Sequence, residues 1–324
     1  LSELSPKEIQ MLNHLFITRD SEVKFFVVLA TGLSLLFVVT YILGTRLDRR
    51  DVSKPTQSAS APFPFVELEA KAAYVYDART EAVLYAKNEN TRMPLASLTK
   101  VMAALVAEEL APGYGTVTVT KDALDTEGDS GLRPGERWSL KDLLDFSLVS
   151  SSNDGIRAVA LSLGALSSAN ATESEIVDDF VRTMNTKAAE LDLKNTYFWN
   201  ETGLDESEYK GGAYGTAKDM AMLLDYVIKY YPEMMEVTRE FNATLESLDN
   251  YKHLAKNTNQ VAGEIPGLLA SKTGFTSTAG GNLVFVFDPE LGRPIVVTIL
   301  GSTAEGRFDD AKKLVNATLE YLNQ

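Results

Sequence analysis

Apolar residues recur along this chain in three different rhythms. From Phe25 to Leu43 they run almost unbroken and without a charge (FFVVLATGLSLLFVVTYIL). A helix of that length spans about 28 Å, close to the hydrocarbon thickness of a bilayer. Lys24 bounds the run on one side and Arg46, Arg49 and Arg50 on the other, with Tyr41 suited to an interface. We therefore expect a transmembrane helix over 25–43, preceded by a cytoplasmic segment, 1–24. The positive charges on its two sides nearly balance, so the orientation is taken from the chemistry and not from the charge count. Asp51 to Pro64 shifts to Ser, Pro, Ala and Thr, which makes 44–64 an extended tether.

Beyond the tether the period alternates between two and 3.6. Ala72–Ala78 and Ala82–Ala86 read as short strands around Arg79-Thr80-Glu81, a hairpin pattern. Pro94-Leu95-Ala96 leads into a helix that runs through Leu110 and is apolar on most faces, hence central and buried. Leu140–Leu163 is helical with an interruption around Ser150–Asp154. Glu173–Leu191 and Ala217–Tyr230 are further helices, the latter stopped at Tyr231-Pro232. Leu269–Phe275, Asn282–Phe287 and Ile295–Leu300 read as strands, with turns at Gly280-Gly281 and Pro289–Pro294, and a helix over Gly306–Leu322 follows. Strands at both ends with helices between them predict an α+β domain, 65–324. Its sheet subdomain comes from about 65–110 and 265–324, and a helical subdomain from about 111–264 is inserted in the middle.

Composition narrows the chemistry. The formal charge of −14 and pI near 4.7 argue against a nucleic-acid partner. Cysteine is absent, so no thiolate metal site exists, and no His-Glu-x-x-His pair offers zinc hydrolysis. There are two histidines. His14 lies across the expected membrane from the domain. His253 stands in a polar stretch (NYKHLAKNTN) with neither helical nor strand pattern, and is expected at the surface. A Ser-His-Asp triad has little to rest on.

Three short motifs occur in one order: Ser97-Leu98-Thr99-Lys100, Ser151-Ser152-Asn153 and Lys272-Thr273-Gly274. Each alone is weak, since Ser-x-x-Lys also occurs at Ser21 and Ser207. Only the copy at Ser97 lies on an apolar helix with Ser-x-Asn roughly 50 residues later and Lys-Thr-Gly about 120 beyond that. Lys100 lies one turn past Ser97 on the same face. Ser97 stands at the helix start, where free N–H groups favour negative charge. A serine hydroxyl needs a base to become a nucleophile. Free lysine, with a pKa near ~10.4, is neutral in only about one molecule in 2,500 at pH 7. A drop of ~3 units, which costs about 4 kcal/mol, makes the neutral amine common. Burial and a second cation, Lys272, both push that way, so both lysines are expected in one cleft.

The ordered triple is a known signature of penicillin-binding proteins and class A β-lactamases. The chain from Ala72 to Leu314 resembles the serine-type D-alanyl-D-alanine carboxypeptidases, the low-molecular-weight penicillin-binding proteins of the SxxK acyltransferase group. The stretches that carry the resemblance are PLASLTKVMAAL, GLRPGERWSLKDLLDFSLVSSSNDGIRAVA, FWNETGL, IPGLLASKTGFTSTAG and GRFDDAKKLV. It implies a β-lactamase/transpeptidase-like fold: an antiparallel sheet flanked by helices, with a helical subdomain across the cleft. It implies Ser97 as the acylated nucleophile, Lys100 as its base and Ser151 as proton relay to the leaving amine. Asn153 would hydrogen-bond the substrate's backbone amide, Lys272 and Thr273 would grip its terminal carboxylate, and Gly274 would allow close approach. The backbone N–H groups of Ser97 and Phe275 would form the oxyanion hole. No metal or organic cofactor is implied. The implied partners are a peptidoglycan stem peptide ending in D-Ala-D-Ala and β-lactam antibiotics as covalent inhibitors.

These readings converge on a membrane-anchored DD-carboxypeptidase on the outer side of the membrane. Many relatives add a β-domain and a C-terminal amphipathic anchor; here the N-terminal span is expected to serve as the anchor. A histidine often found in that family before a small Ser/Thr-Ala-x-Asp segment is replaced by Gly212-Ala213-Tyr214-Gly215-Thr216. The rivals are a DD-endopeptidase using the same residues, a β-lactamase, and a non-catalytic wall-binding scaffold. The β-lactamase ranks lower because Glu190 stands five residues before Asn195, where class A enzymes have four.

Overall fold

The computed structural model describes residues 62–164 and 171–324, together with Lys7 and Gln10. The expected span over 25–43 and nearly all of the tether lie outside the described residues. Among the described residues no helix is long and apolar enough to cross a membrane. The chain divides into two units, 1–60 and 61–324, and every element named here belongs to the second.

Among the described residues the first strands are β1 (Ala72–Asp77), β2 (Ala82–Lys87), β3 (Met93–Pro94), β4 (Thr116–Thr118), β5 (Arg137–Ser139) and β6 (Tyr197–Phe198). They continue with β7 (Ala213–Gly215), β8 (Asn242–Glu246), β9 (Lys252–Lys256), β10 (Leu268–Thr276), β11 (Gly280–Phe287) and β12 (Ile295–Ser302). The central sheet is antiparallel and has the order β10-β11-β12-β1-β2. Strands from the two ends of the unit thus meet side by side, as the reading of an α+β sheet required. The helices Leu140–Ser150, Asn153–Gly164 and Glu173–Glu190 come from the chain between them.

Both faces of the inner strands are buried, which is why β11 and β12 read as continuous apolar runs. Leu283, Phe285, Phe287, Val297 and Ile299 pack on one side with Phe308, Ala311 and Leu314 of the helix Gly306–Leu322. The alternate residues Val284, Val286, Val296 and Leu300 join the larger core on the other side, with Leu98 to Ala107 and Leu223, Leu224 and Val227 of the helix Ala217–Tyr230. Side chains alternate along a strand, so one apolar run serves both cores. Asp310, fully buried, ties the two ends together: its carboxylate accepts from the backbone N–H groups of Glu69 and Ala70 and from the Ser302 hydroxyl.

Two local readings are corrected. Gly280 and Gly281 are not a turn but the first residues of β11, and the chain reverses through Ser277–Ala279. The stretch around His253 is not patternless, since β8 and β9 pair there as a hairpin. His253 is not a surface residue either; its side chain is 9% exposed. Its imidazole packs on Trp138 and Phe146, with Nε2 2.7 Å from Oε1 of the buried Glu136. The ladder and the hydrogen bond are long-range features that a polar stretch does not announce.

Candidate active site

The helix Thr99–Leu110 is entered through a 3₁₀ turn, Ala96–Leu98, so Ser97 sits in that turn and not in the helix itself. Ala96 has φ +49°, a left-handed conformation that costs a residue with a Cβ about 1–2 kcal/mol. The surroundings enforce it. Leu95 N–H donates to the Ala213 carbonyl of β7, and Thr99 Oγ1 donates to the Ala96 carbonyl at 2.7 Å. Lys100 follows one turn into a helix whose residues are buried from Thr99 to Ala107, and it is itself fully buried.

Ser151 owes its position to a joint between helices. It ends Leu140–Ser150 in a left-handed conformation, φ +63°. Ser152 then caps the helix Asn153–Gly164, its Oγ accepting from Gly155 N–H at 2.9 Å. The two-residue joint leaves Ser151 half-buried in the cleft and puts Asn153 at the start of the second helix. Lys272, Thr273 and Gly274 lie on β10, at the edge of the sheet. The period of two places Lys272 and Gly274 on one face.

These three segments meet. Lys100 Nζ lies 2.9 Å from Ser97 Oγ, 2.7 Å from Asn153 Oδ1 and 2.7 Å from the Thr202 carbonyl oxygen. The last two can only accept, so they take two of the amine's hydrogens and leave its third direction facing Ser97. A protonated amine donates to Ser97 there; a neutral one presents a lone pair to the Ser97 hydroxyl. Lys272 Nζ donates to Ser151 Oγ at 2.8 Å and to the Thr273 carbonyl at 3.0 Å. Thr273 Oγ1 lies 2.6 Å from Thr258 Oγ1. Asn153 is engaged at both ends, since its Nδ2 donates to the Glu127 carbonyl at 2.7 Å.

Gly274 is where the strand and the serine turn touch. A Cβ there would stand 2.8 Å from the Leu95 carbonyl oxygen and 3.1 Å from Ser97 N. Phe275, next along the strand, is 54% exposed. The buried Arg307 donates from Nη1 to the Gly274 carbonyl at 2.8 Å.

Burial pushes the Lys100 amine down to about 7, against the nearby Glu201 carboxyl, which works the other way. Burial also holds Lys272 well below the ordinary lysine value, helped by the charges of Lys100 and then Arg307. The second cation was expected to act on Lys100; burial alone lowers that amine, and the charge of one lysine on the other is felt at Lys272. Repulsion between the two amines is mutual, so a proton on one disfavours a proton on the other.

Sequence reasoning missed Thr202, Glu201 and Arg307 as members of this site. All three fall in stretches quoted for the family resemblance, but no spacing rule ties them to the serine. Glu190 is exposed and paired with Lys187.

The fold and this cleft define a class, a serine hydrolase built around lysine: Ser97 stands beside the buried Lys100, and His253 is engaged elsewhere by Glu136. A family model described as D-alanyl-D-alanine carboxypeptidase matches residues 55–303. The D-alanyl-D-alanine carboxypeptidase DacF of Bacillus subtilis is 32% identical over 255 residues, covering 76% of this chain and 61% of that protein. The match therefore spans about three-fifths of the relative's length. A D-alanyl-D-alanine endopeptidase of Pseudomonas aeruginosa is 30% identical over 259 residues, 77% of each chain. The crystal structure of the Streptomyces K15 DD-transpeptidase superposes with a TM-score of 0.71 at 25% identity, covering 79% of this chain and 99% of that one. The chain belongs to the D-alanyl-D-alanine carboxypeptidase family, the serine DD-peptidases of the low-molecular-weight penicillin-binding type.

Proposed function

We propose that this protein is a membrane-tethered DD-carboxypeptidase working on the outer side of the membrane. It removes the terminal D-alanine from peptidoglycan stem peptides through an acyl-enzyme on Ser97. The observation that carries the reading is the buried Lys100 amine, 2.9 Å from Ser97 Oγ and with a pKa near 7. The neutral amine takes the Ser97 proton as Oγ attacks the D-Ala carbonyl. The N–H groups of Ser97 and Phe275 receive the developing oxyanion, each such donor being worth about 3–4 kcal/mol. The proton taken up by Lys100 passes through the Ser151 hydroxyl, which is hydrogen-bonded to Lys272, to the departing amine. Water then cleaves the acyl-enzyme and restores Ser97. Lys272 and Thr273 hold the terminal carboxylate. Asn153 keeps Lys100 in place, and the second Nδ2 hydrogen is left for the substrate's backbone. The apolar run over 25–43 supports the membrane tether.

β-Lactams, which present an acylating carbonyl beside a carboxylate, are proposed to acylate Ser97 as covalent inhibitors. Labelling with a fluorescent penicillin and locating the adduct by mass spectrometry tests the assignment. The expected result is an adduct on the Ser97 peptide that Ser97→Ala abolishes; an adduct elsewhere, or none, refutes it. The name of the Pseudomonas relative keeps one alternative open, a DD-endopeptidase with the same chemistry. Faster turnover of cross-linked dimers than of free pentapeptide selects that reading instead.

A further inference from the structure

The proposed reaction has no use for Glu201, yet its carboxyl is completely buried next to the base. A buried carboxylate costs several kcal/mol unless it is paired. Its partner is Arg157, whose Nε lies 3.1 Å from Oε1. Among the described residues neither carboxyl oxygen of Glu201 has a hydrogen bond of good geometry. The guanidinium is thus the principal compensation for the carboxylate.

The two partners stand on the two segments that hold Lys100. Glu201 immediately precedes Thr202, whose carbonyl accepts one hydrogen of Lys100. Arg157 stands four residues after Asn153 on the same helix, whose Oδ1 accepts another. Gly203, with φ +82°, brings the same loop against the Ala96 carbonyl behind the nucleophile. The ion pair therefore bridges the supports of the base at a point one residue from one contact and one turn from the other.

We propose that Glu201, clamped by Arg157, is a positioning residue for the base: it locks the loop around Thr202 to the Asn153 helix and keeps an anion behind the Lys100 amine. The inference rests on Lys100 being the base. Two consequences follow for the reaction. Loosening the clamp misplaces the amine, and misplacement on the scale of 1 Å can cost about 100-fold in rate. Removing the anion also makes the protonated amine less favourable, so the neutral, competent form persists to lower pH. Burial raises the Glu201 carboxyl above its ordinary range, while Arg157 and Lys100 pull it back down and Glu206 opposes them. Lys272 faces Lys100 from β10. Glu173 faces Arg157 from the helix Glu173–Glu190, and Asp122 and Asp125 line the same surface pocket of about 350 Å³.

The test is the pH profile of Ser97 acylation by a fluorescent penicillin, with thermal unfolding of every variant. Glu201→Gln is expected to move the acid limb at least about half a unit lower, about threefold more neutral amine at a given pH on that limb. Its plateau rate is expected to fall about tenfold. The double variant Arg157→Met with Glu201→Leu removes both charges without leaving a buried cation alone, and is expected to move the limb the same way. Glu201→Asp keeps the charge and is expected to return the limb towards the wild-type position. A purely structural role predicts lower stability and slower acylation with an unmoved limb, and that result overturns the inference alone. Acylation retained by Lys100→Ala would overturn the base assignment and this inference with it.

Discussion

One added methyl group tests how the site is assembled. In Gly274→Ala the new Cβ stands 2.8 Å from the Leu95 carbonyl oxygen and 3.1 Å from Ser97 N. Ordinary contact begins near 3.4 Å, so β10 and the serine turn must part by about 0.6 Å. Neither side yields easily. Both obstacles are backbone, and Arg307 holds the strand through the Gly274 carbonyl. The strain of such overpacking is about 1–3 kcal/mol, small enough for a folded protein with a modestly lower Tm. The catalytic effect is larger, because the gap opens between the two proposed oxyanion donors. Losing one donor costs about 3–4 kcal/mol, a rate reduction of about 100- to 1,000-fold. The assay is stopped-flow acylation by a chromogenic β-lactam beside thermal unfolding. Acylation within threefold of wild type in a folded Gly274→Ala protein refutes the close-approach argument and the oxyanion assignment with it.

Further outcomes follow from the buried charges. With the Lys100 amine near 7, acylation is expected to fall about tenfold per pH unit below that value; a flat profile from pH 5 to 8 contradicts it. The folded amine releases its proton near 7 and the unfolded one near 10.5. The unfolded chain therefore binds more protons across that window, and this group's contribution to stability rises with pH between the two values. Lys100→Met removes that titration but strands the Asn153 Oδ1 and Thr202 carbonyl acceptors; acylation is expected to be lost together with the rise in stability between pH 7 and 10.5, and a variant whose Tm still rises across that window as the wild type does denies the burial cost. His253→Leu removes the 2.7 Å hydrogen-bond partner of the buried Glu136, a loss of about 1–3 kcal/mol, while acylation by the folded fraction keeps its wild-type rate. Asp310→Ala strands the backbone N–H groups of Glu69 and Ala70 and the Ser302 hydroxyl. About 3 kcal/mol of destabilisation in urea unfolding is expected; less than about 1 kcal/mol would show that water replaces the carboxylate.

Much of the site was legible because its chemistry is compressed into short spacings. Ser97 and Lys100 face each other across one helical turn, and Ser151 and Asn153 flank a helix joint that the sequence marks as an interruption. Their local geometry follows from neighbours in the chain. Thr202, Glu201 and Arg157 were not legible, because their relation to Lys100 exists only after the loop around Thr202 has packed on the Asn153 helix. His253 shows the same limit from the opposite side. A polar stretch concealed a paired strand, since the β8–β9 ladder is set by cross-strand hydrogen bonds and by a carboxylate 117 residues away.

The order of motifs, the helices with a strong period and the placing of a lysine one turn from Ser97 were determined by the amino-acid sequence alone. Each depends on residue type and local spacing. The depressed basicity of Lys100 and Lys272, the left-handed Ala96, the tight seat of Gly274 against Ser97 and the Arg157–Glu201 ion pair were decided by tertiary structure. Burial and opposing charge act through space, and folding brings together groups that the chain keeps far apart.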